Sequence, residues 1–289
     1  MILMRREIEE NTRVLQNYRD TNEDELRVVK HLMARMCHED NLSDSKLEHW
    51  ILPASNLSGD LVAAARTPDG VLHAIVADGT AHGLAAALNV LPIAPVFYAM
   101  TEKGLKIELI AAAINRTIKQ QFPAGRFVAA TLVSVDYATR RVRIWNGGNP
   151  PLLVFDPAGK VIKRYPPANL ALGILPQAAF VPNIDEFRYA EPCQMFCCSD
   201  GVFEVLDDIG EQGGEASVVS QMQDVPPQMR LKLLRNRLLA RNAEKATHDD
   251  MAGAVDRLRA SADPSWIRFP LRSSASPATF ALSVFCTCG

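Results

Sequence analysis

The stretch Val71-Leu-His-Ala-Ile-Val-Ala-Asp-Gly-Thr-Ala-His-Gly83 decides the fold. Its first seven residues form an almost unbroken apolar run, whereas a strand exposed on one face would alternate apolar and polar residues. The run therefore reads as a strand buried on both faces. It stops at Asp78-Gly79, and the small residues of Gly83-Leu-Ala-Ala-Ala-Leu88 follow, suited to a tightly packed helix. A carboxylate is thus set at the mouth of a buried sheet, where a lone charge is costly unless it is paired or binds a metal. Asp-Gly is also a common turn pair, and taken alone that reading competes with a functional one.

The segment just upstream changes the balance. Asn56-Leu-Ser-Gly-Asp60 leads into Leu61-Val-Ala-Ala-Ala-Arg66, followed by Thr67-Pro-Asp-Gly70 and the opening strand. Two apolar runs around Pro-Asp-Gly make a hairpin. Asp60 begins its first strand and Asp78 ends its second, so antiparallel pairing brings both carboxylates to one end of the sheet. Asp69-Gly70 is an internal control. It lies between the two strands, where only a turn is needed.

Further along, the helix from Gly83 is broken or kinked near Pro92. Residues 108–121 read as a second helix, with Ile107, Ile110, Ala111, Ile114 and Ile118 on one face. Two consecutive helices after a hairpin suggest one helical layer over one sheet face. A second hairpin runs through Phe127-Val-Ala-Ala-Thr-Leu-Val-Ser-Val135 and Arg141-Val-Arg-Ile-Trp145. Asn146-Gly-Gly-Asn-Pro-Pro151 is a sharp corner, and a third hairpin flanks Asp156-Pro-Ala-Gly159. Met195-Phe-Cys-Cys-Ser-Asp-Gly201 repeats the opening pattern of a buried strand ending in Asp-Gly. Residues 207–224, acidic and rich in Gly and Gln, read as an exposed flap. Residues 229–241 form a basic amphipathic helix, read as solvated scaffold. His248-Asp-Asp-Met-Ala-Gly-Ala-Val255 puts paired acids before another apolar run.

Residues 1–36 are charged and helical in pattern, with no glycine or proline. Their stripe of Leu15, Tyr18, Leu26, Val29, Met33 and Met36 slips near Asp20-Thr-Asn-Glu-Asp24, where Thr21 is placed to cap a second helix. Such a stripe fits either a coiled-coil homodimer or a helix folded back on its own domain. Residues 37–56 read as a link, and beyond about residue 259 the pattern dissolves into Ser, Pro and Arg. The expected division is a helical linker at 1–48, one globular domain at 49–258, and a tail at 259–289 that is disordered or a truncated module.

Composition narrows the class. The 289 residues are 48% hydrophobic and 22% charged, as in a globular protein with a sizeable core. A net charge of -2 gives no reason to expect nucleic acid or an anionic membrane as the main partner. No apolar run is expected to span a membrane, since Pro92 and Pro95 interrupt the best candidate. The N-terminus lacks the apolar core of a signal peptide, and the six cysteines show neither disulfide-framework nor zinc spacing. A cytoplasmic location is the expectation.

Four acid stations now stand at strand ends: Asp60, Asp78, Asp200 and Asp249/Asp250. Their mutual repulsion is relieved by hard divalent cations with oxygen ligands, and carboxylates with water suit magnesium or manganese. Two such ions roughly 4 Å apart activate water and stabilise a phosphoryl transition state. Spacing alone does not establish that the stations meet.

The ordered set of motifs resembles the bacterial branch of metal-dependent serine/threonine protein phosphatases (the PPM family), the sporulation-protein-E (SpoIIE) or RsbU-like group. It comprises Ser58-Gly-Asp60, Asp78-Gly-Thr-Ala-His-Gly83, Phe127-Val-Ala-Ala-Thr131, Asn146-Gly-Gly-Asn-Pro-Pro151, Ala171-Leu-Gly-Ile174, Ser199-Asp-Gly201 and His248-Asp-Asp-Met251. The resemblance spans roughly residues 50–257. It implies an α+β fold, a four-layer α-β-β-α sandwich of two antiparallel sheets between helices. It also implies two Mn2+ or Mg2+ ions, with Asp60 bridging both. Asp78 and the Gly79 carbonyl would serve one ion; Asp200 and Asp249, with Asp250 less firmly placed, would hold the other.

The implied reaction is hydrolysis of phosphoserine or phosphothreonine on an anti-sigma-factor antagonist or similar signalling protein. The alternatives are a catalytically weak adaptor on the same fold, or a metal phosphoesterase acting on small molecules. Keeping several costly charges together favours the enzyme. Three departures from the family pattern stand out: Ser58 for a usual Gly, Thr80-Ala81 for Ser-Gly before His82, and Ala252 for a usual Thr or Ser. His82 and His248 fit either a site role or a structural one.

Overall fold

The computed structural model describes residues 2–36, 44, 46–54, 57–80, 83–123, 125–207, 214–244 and 250–258. The expected hairpin is present: β2 (Asp60–Arg66) pairs antiparallel with β3 (Leu72–Gly79), and Asp60 lies directly opposite Asp78. The second hairpin, β4 (Val128–Asp136) and β5 (Arg141–Gly147), extends this sheet, and a short edge strand β8 (Asp185–Arg188) closes it in the order β2-β3-β4-β5-β8. At Asn146-Gly-Gly-Asn-Pro-Pro151 the chain leaves this sheet and enters the other. That second sheet has the order β1-β10-β9-β6-β7. Its strands are β1 (Leu47–Leu52), β6 (Leu152–Phe155), β7 (Val161–Tyr165), β9 (Cys193–Cys198) and β10 (Met251–Leu258).

Strand parity makes the layers. In β2, Val62 and Ala64 pack between the sheets, against residues such as Met195, Cys197 and Ala254. Leu61 and Ala63 face the other way, into α2 (Leu84–Val90), α3 (Ile93–Glu102) and α4 (Ile107–Gln121). The second sheet does the same: Trp50, Phe196 and Val255 pack on α5 (Asp200–Asp207), α6 (Gly214–Met222) and α7 (Pro227–Glu244). The result is α-β-β-α, and both central sheets are buried on two faces. That is why β3 and β9 lack alternation. Each fully buried aliphatic side chain contributes about 1.5–3 kcal/mol.

Several expectations are corrected. One helix, α1 (Ile2–Met36), runs without a break through residues 20–24; with no Gly or Pro there, nothing forces an end. Strand β1 lies inside the segment read as a link and begins at Leu47, just before the expected boundary at residue 49. Its Glu48 and His49 disguise it, yet both are buried. A third helix, α3, separates the two expected ones, with Pro92 at its N-cap. Part of the expected flap is α6, which buries Val218 and Met222.

The solvated scaffold helix is α7, and it buries Leu231, Leu234, Leu238 and the whole of Arg230. The Arg230 guanidinium donates to the Val225, Asp156 and Pro157 carbonyls and to Gln194 Oε1, clamping α7 to the β6–β7 turn. By length and composition, Leu84–Glu102 does reach the threshold for a membrane span. In this fold it is two helices whose Ile93, Ala94 and Phe97 are buried in the helical layer.

Candidate metal centre

The candidate centre lies where one end of each sheet meets the other across the sandwich. Asp60 and Asp78 share the parity of Val62, Ala64 and Val76, so both belong to the face of their sheet that looks at the second sheet. Asp60 is 2% exposed and Asp78 half-buried. Like charges directly opposite destabilise a sheet. This pair therefore fits a bound cation better than an empty fold. The donors are all hard oxygens, as magnesium and manganese prefer.

The opposing sheet positions Asp60. Ser199, fully buried just after β9, donates its hydroxyl to Asp60 Oδ2 at 2.7 Å. Ser199 Oγ itself accepts the Ala252 amide at 2.8 Å, and the Ser199 amide donates to the Ala252 carbonyl at 3.1 Å. Backbone groups thus serve the local hydrogen bonding where the family's Thr or Ser is replaced by Ala252, whose side chain enters the inter-sheet core. The Ser58 departure has a local role as well: its Oγ accepts the Asp60 amide at 3.1 Å.

Asp250, 3% exposed, accepts the Ala54 amide on Oδ1 at 2.7 Å and the Gly59 amide on Oδ2 at 2.5 Å. Gly59 in turn accepts the Gly79 amide at 3.0 Å. Asp200 is exposed and opens α5, where the positive end of the helix favours a carboxylate. Burial pushes the Cys198 thiol well above its usual range, and Cys197, Asp60 and Asp200 add to this. A thiol held neutral in this way is no nucleophile.

The three Asp-Gly pairs separate cleanly. Gly70 has a φ of 83° and open space where a Cβ would sit, which is a turn glycine. A Cβ on Gly79 would meet the Ala86 carbonyl and Val90 at 3.1 Å, so α2 closes tightly over it. On Gly201 a Cβ would lie 2.2 Å from the Asp250 carbonyl oxygen. Gly201 is required by close approach and Gly79 sits in a tight one; neither serves a turn.

Of the expected site residues, Asp60, Asp78 and Gly79 come together at one hairpin end, and Asp200 and Asp250 arrive from the second sheet and its helix. Asp249 lies outside the described residues, as do His82 and His248. Among the described residues, no three His, Cys, Asp or Glu side chains form a ready metal cage. The roles of Ser199 and Asn149 were not read from the sequence. Asn149 Nδ2 donates to the Val76 carbonyl at 3.1 Å and to Thr131 Oγ1 at 3.2 Å, locking the inter-sheet corner onto β3 behind Asp78. Both lay within recognised motifs, but their partners are distant in the chain.

The sequence model of the Stage II sporulation protein E (SpoIIE) family matches residues 68–258. The chain belongs to the SpoIIE family. Asp60 lies just ahead of the matched residues; Asp78, Asp200 and Asp250 lie within them. A curated relative, the phosphoserine phosphatase RsbP of Bacillus subtilis (strain 168), is 22% identical over 197 residues. The alignment covers 65% of this chain and 47% of that protein, so the chain spans about half the length of its relative. Among solved structures, the SiaA-PP2C domain of Pseudomonas aeruginosa superposes with a TM-score of 0.67 at 17% identity, covering 83% of this chain and 97% of that one. RsbX in complex with magnesium gives a TM-score of 0.56 at 16% identity, covering 75% and 97%. These likenesses establish the SpoIIE-family chain as a PP2C-type sandwich.

Proposed function

We propose that this chain is a metal-dependent serine/threonine phosphoprotein phosphatase that works with two divalent cations, Mn2+ or Mg2+. The observation that carries the reading is the facing of Asp60 and Asp78 at the end of a buried hairpin, with Ser199 of the opposite sheet holding Asp60. Asp60, Asp78 and the Gly79 carbonyl would hold one ion. Asp200 and Asp249, sharing Asp60, would hold the other. When bound, the ions supply charge neutralisation and an activated water. Water adds to phosphorus, the bond from phosphorus to the serine or threonine oxygen breaks, and that oxygen leaves with a proton. The chain itself keeps the acids aligned through Ser199 and the backbone packing at Gly79 and Gly201.

Family membership and the name of the relative, a phosphoserine phosphatase, support the reaction class. A magnesium complex of a protein with the same fold supports the choice of a hard divalent ion. The substrate proposed is a phosphorylated signalling protein of the anti-sigma-factor antagonist type, a narrowing that rests on the motif resemblance. The proposed setting is the cytoplasm, which the buried free thiols of Cys193, Cys197 and Cys198 suit. The proposed assembly is a homodimer through α1, whose Val14, Leu15, Val28 and Leu32 are exposed.

The test is a panel of phosphorylated peptides and proteins with and without manganese. Manganese-dependent release of phosphate, lost in Asp60→Ala and Asp200→Ala, is the expected result. No turnover at high enzyme concentration, with both variants behaving like the parent, overturns the enzyme and leaves an adaptor.

A further inference from the structure

We infer that Asp250 is a positioning residue for Asp60, a latch across the two sheets, and not a metal ligand. The inference rests on the proposed role of Asp60 in holding metal. Its own basis is geometric. Both Asp250 oxygens already accept backbone amides, Ala54 at 2.7 Å and Gly59 at 2.5 Å, at a site 3% exposed. Hydrogen bonds from amides to an ionised carboxylate are about twice as strong as neutral ones. Each oxygen keeps a second lone pair, but swinging the carboxylate away to reach an ion would strand a buried amide, and that cost favours the backbone role.

The latch is well placed to set the site. Gly59 directly precedes Asp60, and Gly59 also accepts the amide of Gly79, next to Asp78. One carboxylate from the start of β10 therefore fixes the chain at both candidate ligands of the hairpin. Its own position is fixed in turn: the Gly201 Cα packs so closely on the Asp250 carbonyl that no Cβ fits. Asp250 thus links the Asp200 corner to the Asp60 turn, beside the direct bond from Ser199 to Asp60. Adjacent acids then divide the work, with Asp249 left for metal and Asp250 for the backbone.

The test uses the full chain labelled with 15N-glycine, following exchange of the Gly59 amide by NMR and manganese binding by calorimetry. In the parent, the Gly59 amide is expected to be protected without metal and to stay protected at saturating manganese. Asp250→Asn is expected to lose that protection, keep the number of bound ions, and weaken manganese binding by about 10- to 100-fold, the usual range for residues behind metal ligands. Asp250→Glu, which keeps the charge but is one methylene longer, is expected to recover only part of the protection. Release of the Gly59 amide when manganese binds the parent would make Asp250 a ligand and overturn the latch. So would an Asp250→Asn protein that binds one ion fewer, or one with unchanged Gly59 exchange and affinity. A parent that binds no manganese defeats the metal reading instead, while its Gly59 exchange still decides whether the latch exists.

Discussion

Replacing Gly201 with Ala separates the close-approach role of a glycine from its turn role. The new Cβ would sit 2.2 Å from the Asp250 carbonyl oxygen, a backbone atom with no side-chain freedom to yield. Ordinary contact requires about 3.5 Å, so α5 and the start of β10 must part by more than about 1 Å. Overpacking of this kind costs about 1–3 kcal/mol of stability. The functional cost is larger, because the parted elements carry Asp200 and the anchor of Asp60. A misplacement of about 1 Å lowers turnover by about 100-fold where alignment controls the rate. Gly70→Ala is the matched control: its φ of 83° strains an Ala by about 1–2 kcal/mol, but open space surrounds it and the site lies at the other end of the hairpin. Both variants should therefore melt earlier than the parent, and only Gly201→Ala should lose phosphopeptide turnover and manganese affinity. Thermal melts, calorimetry and initial rates on one phosphopeptide read all three. Equal loss of activity in the two variants, or full activity in Gly201→Ala, refutes the reasoning.

Two further outcomes are expected. Burial lowers the pKa of His49 to about 4, and burial with Arg143, opposed by Glu108, lowers that of His73 to about 4, against an ordinary 6.5. Both are therefore neutral in the fold, and the stability they contribute is complete above pH 6.5 and lost as pH falls from 6.5 towards 4, by about 3 kcal/mol for each at the limit. Urea midpoints should drop between pH 7 and pH 5, and His49→Leu should flatten part of that slope; an unchanged parent midpoint would show the histidines to be accessible to protons. For assembly, light scattering of the full chain should give a dimer and a chain lacking residues 1–36 a monomer. Two monomers would refute pairing through α1.

Local patterns made much of this legible. The hairpin β2–β3, its register at Asp60 and Asp78, and the turn role of Asp69-Gly70 follow from two apolar runs around one Pro-Asp-Gly. Period and turn chemistry act over a few residues, and antiparallel pairing then leaves little choice of register. The elements missed were those whose character comes from burial by distant parts of the chain. Strand β1 carries Glu48 and His49, and α6 is short and lies in an acidic segment, so neither has a clean period. Arg230 looked like part of a solvated basic face because its acceptors, the carbonyls of residues 156, 157 and 225 and Gln194, are not neighbours in its helix.

The residue types of the site were readable, but their division of labour was not. Acids that face one another at a buried strand end point to a cation, since like charges directly opposite destabilise a sheet. Which acid faces the ion and which holds the backbone depends on how two sheets stack. Asp250 reaches Gly59 across a sequence separation of 191 residues, and Ser199 reaches Asp60 across 139. Such contacts have no local period. By itself the sequence determined the three hairpins and the meeting of Asp60 and Asp78 at one end of a sheet. Only the packing of one sheet on the other decided that Ser199 and Asp250 hold the Asp60 turn in place.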